Sequence, residues 1–221
     1  MSLSTRPGSA LAGALLATTV AASCGGAAEP DLPQPDNPGG VIVSEVEDNS
    51  RFLGAEPATP YHMPDVTLTA TNHERFNLIT DTGYPVTLVF YGYTHCPDVC
   101  PLVMSDLTAA YLQLPDEVRD QTQVVVVTTD PRRDTPEVMR AYLDRYHEDF
   151  VGLTGDLPDI VRAADAMGVA IEGMKRLPSG GYDVGHGAQV IGFFADHAPV
   201  IWTQGTPVSD LVADVTVLAG S

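Results

Sequence analysis

Residues 86–101 read VTLVFYGYTHCPDVCP, an apolar run that leads into two cysteines four positions apart. A continuous run of this kind predicts a strand over Val86–Tyr93 that is buried on both faces of a sheet. The cysteine spacing is just over one helical turn, so in a helical or turn-like segment the side chains of Cys96 and Cys100 face the same way. The proline that follows suits the first turn of a helix, which the residue spacing predicts over Leu102–Leu112.

Strand and helix patterns alternate beyond this stretch. A second buried strand is predicted over Gln123–Thr128, and the run from Asp134 to Glu137 supplies a cap, an N1 proline and an acidic first turn for a helix that ends near His147. The other predicted elements are a weak hairpin over Val66–Leu78, a helix from Asp156 to about Met167, strands over Tyr182–Phe194 and Ala198–Thr203, and a last helix over Pro207–Leu218. This order predicts an α/β protein with a thioredoxin-like fold, in which a central mixed sheet is flanked by helices and carries an N-terminal hairpin extension. The cysteines would then lie at the carboxyl end of the first core strand, where α/β sheets place their chemistry.

The composition narrows the classes of partner. The chain has 29 acidic and 11 basic residues and a formal net charge of −18. Neutralising phosphates requires clustered Lys and Arg, so we expect no nucleic-acid partner. Anionic lipid headgroups would also repel this acidic surface, so any attachment to a membrane must come from acyl chains.

The N-terminus has the layout of a secretory signal, with Arg6, an apolar stretch over Ala10–Ala22 and small residues at its end. The stretch is too short and too rich in small residues for a membrane span, which needs about 20 strongly apolar residues. Residues 21–24 read AASC and resemble a bacterial lipobox, in which the cysteine is diacylated and becomes the new N-terminus. A plain signal peptide in which Cys24 is incidental is the alternative.

We therefore expect three segments. Residues 1–23 form a signal peptide of the lipoprotein type, and 24–40 form a flexible tether, because almost no large apolar residue is present there to bury. Residues 41–221 form one domain of ordinary size. Lipid on Cys24 would anchor this domain to the outer face of the bacterial cell membrane.

The cysteine pair is open to three interpretations. Two thiolates so placed can bind a soft metal such as Cu(I), or they can close a disulfide that is exchanged. A helix N-terminus lowers a thiol pKa, and thiolate is the form that both of these roles need. The third interpretation is a static structural disulfide, although closing so short a loop adds little stability.

A copper site with two sulfurs usually takes a third ligand, and imidazole suits either oxidation state of copper. The chain offers His62, His73, His95, His147, His186 and His197. We expect His147 to be solvated at a charged helix end and His95 to point away from Cys96. His186 is the best candidate by position, because it lies between glycines in a loop just before an apolar strand.

The stretch from Phe90 to Pro101 resembles the signature of the SCO/SenC family of copper chaperones. Residues 129–136 (TDPRRDTP) resemble its second signature, and 182–186 (YDVGH) its third, which supplies a histidine ligand. The resemblance covers most of residues 60–218, and the sequence departs from it at Gly185, where the family usually has Asp. It implies a thioredoxin-like, extracytoplasmic protein that holds copper, as Cu(I) or Cu(II), through Cys96, Cys100 and His186.

The resemblance further implies service in assembly of the dinuclear copper centre of cytochrome c oxidase, with the oxidase's copper-binding subunit and other copper chaperones as partners. The leading hypothesis is thus a membrane-tethered metallochaperone and not an enzyme. The alternative is a thiol–disulfide oxidoreductase that uses Cys96 and Cys100 as a redox pair on an oxidase subunit or another exported target. Thioredoxin-like oxidoreductases resemble one another in having two residues between the cysteines and a facing cis-proline. Here three residues intervene and Val184–Gly187 contains no proline, which favours copper.

Overall fold

The computed structural model describes residues 50–176 and 182–220 of the chain. The predicted signal peptide over 1–23, the tether over 24–40 and the lipidation candidate Cys24 lie outside the described residues. Within the described ranges, no helix combines the length and the apolarity that crossing a membrane requires.

Ten strands and five helices make up the described part of the chain. In order they are β1 (Tyr61–His62), β2 (Thr67–Ala70), β3 (Arg75–Asn77), β4 (Val86–Gly92), α1 (Val99–Gln113), α2 (Asp116–Arg119), β5 (Thr122–Thr128), α3 (Pro136–Leu143), β6 (Val151–Thr154), α4 (Leu157–Ala166), β7 (Ile171–Arg176), β8 (Tyr182–His186), β9 (Val190–Phe194), β10 (His197–Trp202) and α5 (Val208–Ala219).

Eight of these strands form one mixed sheet in the order β1-β10-β9-β4-β5-β6-β2-β3. The pairs β4–β5 and β5–β6 are parallel, and the other pairs in the sheet are antiparallel. Strands β7 and β8 form a separate antiparallel ladder. The hairpin predicted near the N-terminus is β2–β3, and it extends the sheet at one edge.

Strand β4 is the centre of the core, and all seven of its residues are buried. Its side chains alternate between two apolar clusters. Leu88 and Phe90 face the cluster that α1, α3 and α5 cover, whereas Val89 and Tyr91 face the cluster that α4 covers. Helices on both faces of a mixed sheet confirm the predicted α/β, thioredoxin-like architecture.

The structure corrects two sequence-based predictions and adds two strands that were not predicted. The single strand predicted over Tyr182–Phe194 is wrong: it divides into β8, which pairs with β7, and β9, which pairs with β4 and β10. Strands β6 and β7 were not predicted, because Gly152 interrupts the first and the second is mostly polar. Helix α1 begins at Val99 and not at Leu102, because Asp98 caps it.

Candidate metal centre

The two cysteines lie at the junction between β4 and α1. The Asp98 carboxylate accepts a hydrogen bond from the Val99 N–H at 2.7 Å and starts the helix. Cys96 therefore lies just ahead of α1, and Cys100 lies in its first turn. The backbone N–H of Cys100 donates to the Cys96 sulfur at 3.3 Å. An N–H from the first helical turn, which has no acceptor within the helix, thus faces this sulfur.

Gly92 makes room for the second sulfur at the end of β4. A Cβ at this position would lie 3.2 Å from the Cys100 Sγ and 2.7 Å from the Phe90 ring. Such a contact would push the ring or the sulfur out of place. The absence of a side chain at this position is therefore what lets Cys100 pack against the strand end.

His186 reaches the cysteines from the last position of β8, 86 residues along the chain from Cys100. Its Nδ1 lies 2.8 Å from the carbonyl oxygen of Gly187. A carbonyl only accepts, so Nδ1 carries a proton, and the neutral form of the ring therefore has its lone pair on Nε2. That Nε2 lies 3.5 Å from the Cys100 sulfur. The neighbouring backbone thus selects the tautomer that a metal would need.

One donor atom from each of Cys96, Cys100 and His186 lies within 4.8 Å of the other two. No disulfide joins the two cysteines. Two donors that share one ion at about 2.3 Å stand up to about 4.6 Å apart, so small side-chain rotations suffice to bring all three onto one ion. The cluster has the donor set that soft and borderline transition metals prefer.

The two thiols differ in acidity. The pKa of Cys96 is lowered to about 4, first because the Cys100 thiol donates to its sulfur, with further help from the Cys100 N–H, while burial opposes the shift. The pKa of Cys100 is raised, because its thiol donates to Cys96 and because it is buried. At neutral pH the pair therefore holds a half-buried thiolate at Cys96 and a buried thiol at Cys100.

Tyr93 forms a wall of the cluster and ties it to β8. Its ring meets the His186 ring edge-on, with centroids 5.8 Å apart. Its hydroxyl donates to the Asp183 carboxylate, and burial followed by this hydrogen bond raises the Tyr93 pKa. The guanidinium of Arg133 lies over the Tyr93 ring, 5.6 Å from its centroid. These contacts hold the strand that carries His186 against the loop that carries Cys96.

Asp134, from the second motif, holds the loop before Cys96 in place. Its side chain is fully buried. The carboxylate accepts from the Thr94 N–H at 3.0 Å, from the Thr94 hydroxyl at 2.6 Å and from the Thr128 hydroxyl at 2.6 Å. Sequence reasoning treated Asp134 only as the start of a helix, because a contact across 40 residues leaves no local pattern.

The family model described as SCO1/SenC matches residues 56–216, which is most of the chain. The chain belongs to the SCO1/SenC family. Among curated relatives, a putative copper-binding protein of Stutzerimonas stutzeri is 36% identical over 124 residues, which is 56% of this chain and 60% of the relative. A SCO2-like protein of Rickettsia felis is 32% identical over 134 residues, which is 61% of this chain and 60% of the relative. The matched part thus spans about 60% of the length of these relatives.

Solved structures of SCO proteins share the fold. Apo Sco1 from Thermus thermophilus is 29% identical, with a TM-score of 0.66, and the match covers 77% of this chain and 99% of that one. ScoI of Bradyrhizobium japonicum with copper bound is 26% identical, with a TM-score of 0.61, and the match covers 74% and 97%. Both comparisons agree with the predicted thioredoxin-like architecture.

This SCO1/SenC chain departs from the expected pattern at Gly185, and the structure gives the local consequence. The β7–β8 register places Glu172 opposite Gly185. A Cβ added at Gly185 would lie 3.0 Å from the Glu172 Cβ and 3.3 Å from its carboxylate. A carboxylate from the neighbouring strand therefore stands where a side chain at 185 would have to fit.

The other histidines lie away from the cluster or on its rim. His95 is half-exposed and contacts the Thr94 hydroxyl at 2.9 Å. The prediction that His147 is solvated is wrong: its side chain is only 21% exposed and packs on Tyr111 and Phe150. The prediction failed because α3 ends at Leu143 and the chain then turns back onto the core. Met104 of α1 is fully buried in the core and does not serve as a further ligand on the surface.

Proposed function

We propose that this protein binds copper through Cys96, Cys100 and His186 and hands it on during assembly of the dinuclear copper centre of cytochrome c oxidase. The observation that carries the proposal is the convergence of two sulfurs and an imidazole nitrogen within 4.8 Å. The curated relative from S. stutzeri is itself described as a putative copper-binding protein. The B. japonicum relative has been solved with copper.

Copper is the cargo, and each residue has a distinct part in holding it. Cys96 supplies a thiolate that already exists at neutral pH, so it is the natural first ligand. Cys100 gives up its proton when the metal arrives, so loading releases acid. The paired sulfurs suit Cu(I), and the His186 imidazole lets the same site hold Cu(II). The partial exposure of Cys96 leaves one side of the ion open to a recipient.

We further propose that the protein acts at the cell surface. A signal peptide over 1–23 and lipid on Cys24 would hold the domain at the outer face of the membrane. The tether over 24–40 would let it reach the copper-binding subunit of the oxidase and the chaperones that supply copper. Because the surface is strongly acidic, attachment would depend on the acyl chains and not on lipid headgroups.

One observation also favours a second function, thiol–disulfide exchange. An attacking cysteine needs a low pKa and access, and its partner needs protection. Cys96 and Cys100 meet these demands, since the first is half-buried with a lowered pKa and the second is buried. Exchange does not need an imidazole, whereas Cu(II) binding does, and His186 therefore separates the two functions.

The test compares His186→Ala with His73→Ala in the reduced full-length protein. His73 is an exposed histidine that lies on the loop between β2 and β3, away from the cluster. We expect His186→Ala to weaken Cu(II) binding by at least tenfold and to change the sulfur-to-copper absorption, while His73→Ala binds as the parent does. Disulfide formation and reduction should survive in both. Intact Cu(II) binding in His186→Ala would overturn the chaperone proposal, and if that variant still reduced a protein disulfide at the parent rate, the oxidoreductase function would take its place.

A further inference from the structure

A second group of metal-ligating side chains lies at the opposite end of the strands from the cysteines. Asp196 belongs to the two-residue turn between β9 and β10, and His197 is the first residue of β10. His62, from β1, is the cross-strand partner of His197. The turn adjoins the start of β4, because Ala195 donates to the carbonyl of Pro85 at 2.8 Å. The length of β4, about 20 Å at about 3.3 Å per residue, therefore separates it from the cysteines.

The strand register fixes the two imidazoles on one face. Residues directly opposite in an antiparallel pair project to the same side. Met63 and Asp196, the next pair along, share a backbone hydrogen bond of 2.8 Å. His62 and His197 thus occupy the pair position without hydrogen bonds, where side chains stand closest.

The carboxylate of Asp196 lies between the two rings. One oxygen is 3.8 Å from the His62 Nδ1, and the other is 3.6 Å from the His197 Nδ1. All three side chains are accessible, with 68%, 70% and 42% of the His62, Asp196 and His197 side chains exposed. Among the described residues, only Cys96, Cys100 and His186 already bring one donor atom each within 4.8 Å of the others, so the exposed side chains of this second group must rotate to bring three donors onto one ion.

We propose that His62, Asp196 and His197 form a second metal site, for a divalent transition-metal ion and for Cu²⁺ above Zn²⁺. Two imidazoles and one carboxylate are borderline ligands that suit these ions and not Ca²⁺ or Mg²⁺, which take oxygen ligands. Cu²⁺ binds such a set most tightly among the first-row divalent ions. The net charge of −18 further favours cations at the surface. Water completes the coordination, because the site is open.

This site needs no sulfur, so it is independent of the proposed cysteine site and survives its removal. The test uses the full-length protein with all three cysteines replaced (Cys24→Ser, Cys96→Ser and Cys100→Ser), titrated with Cu²⁺ alone and followed by calorimetry and electron paramagnetic resonance. We expect one Cu²⁺ per chain, with a spectrum that shows nitrogen and oxygen ligands and no sulfur-to-copper absorption. Zn²⁺ should compete for it at higher concentration.

Asn substitutions identify the ligands. Adding His62→Asn or His197→Asn should each weaken Cu²⁺ binding at least tenfold, and the two together should abolish it. His73→Asn is the matched control, because His73 also stands beside a carboxylate, 3.0 Å from Glu137, but has no second imidazole as its strand partner. Failure of the cysteine-free protein to take up Cu²⁺ would overturn the proposal. So would uptake that the His62 and His197 variants leave unchanged, because the ion would then be bound elsewhere.

Discussion

Asp134 offers the sharpest test of how the fold supports the cluster. It is fully buried, and three donors from Thr94 and Thr128 converge on its carboxylate at 2.6–3.0 Å. Hydrogen bonds to a charged group contribute about 1.5–3 kcal/mol each, and they do not add fully when they share one acceptor. Asp134→Ala removes the acceptor and leaves the Thr94 N–H without its partner. We expect the free energy of unfolding to fall by about 3–5 kcal/mol.

Asp134→Asn is the informative companion variant. Its amide oxygen can take the place of the carboxylate oxygen that accepts from the Thr94 N–H and the Thr128 hydroxyl. Its NH₂ can donate to the Thr94 hydroxyl, which rotates to accept. Since the geometry is kept and only the charge is lost, we expect a fall of about 1–2 kcal/mol.

Urea unfolding of the reduced protein measures the difference. At about 2 kcal/mol per molar of urea, Asp134→Ala should move the midpoint down by about 2 M and Asp134→Asn by less than about 1 M. Asp159→Ala is the control, because Asp159 makes an ion pair with Arg162 at the surface and such pairs contribute less than about 1 kcal/mol. An Asp134→Ala midpoint no lower than that of Asp159→Ala would refute the reasoning. Copper binding should weaken in parallel, because Thr94 fixes the turn that presents Cys96.

Four further predictions concern the reactivity of the thiols, the pH dependence of stability, the buried carboxylate of Asp214 and the lipid anchor. Because the Cys96 pKa is lowered to about 4, iodoacetamide should alkylate Cys96 at a nearly constant rate from about pH 6 to 8 and Cys100 far more slowly. The same lowered pKa makes the parent more stable than Cys96→Ser. This difference in the free energy of unfolding is fully present above the pKa of the free thiol, about 9, and is lost as pH falls towards 4. A difference that grew on acidification would contradict the lowered pKa. The buried Asp214 carboxylate accepts from the Trp202 indole N–H and from the backbone N–H groups of Leu53 and Gly54, each at 2.8 Å. Asp214→Ala should therefore lower the free energy of unfolding by about 3–5 kcal/mol and alter Trp202 fluorescence. A fall of less than about 1 kcal/mol would speak against this role of Asp214. Cys24→Ser should release the protein from membranes or leave it unprocessed, as fractionation would show, and unchanged attachment would remove the lipid anchor from the proposal.

The elements around the cysteines were predictable because their signals are local. A continuous apolar run gave β4, and a residue spacing gave α1, whose start the structure moves to the Asp98 cap. The strand that carries His186 was predicted too long, because no local signal at residues 187–189 shows that the chain stops pairing with β7 there and begins to pair with β4 and β10. Whether a strand continues or ends there depends on which neighbour it pairs with, and that neighbour lies elsewhere in the chain.

The sequence by itself determined the fold class, the spacing of Cys96 and Cys100 and, through three motifs in order, the family to which the chain belongs. These are properties of residues within a few turns of one another, where propensity and capping act. The tertiary structure alone decided the contacts over long separations: Cys100 with His186 across 86 residues, Tyr93 with Asp183 across 90, and the pairing of His62 with His197. It also decided how far the Cys96 sulfur is buried, which opposes the lowering of its pKa, whereas the lowering itself comes mainly from the Cys100 thiol and N–H four residues along the chain.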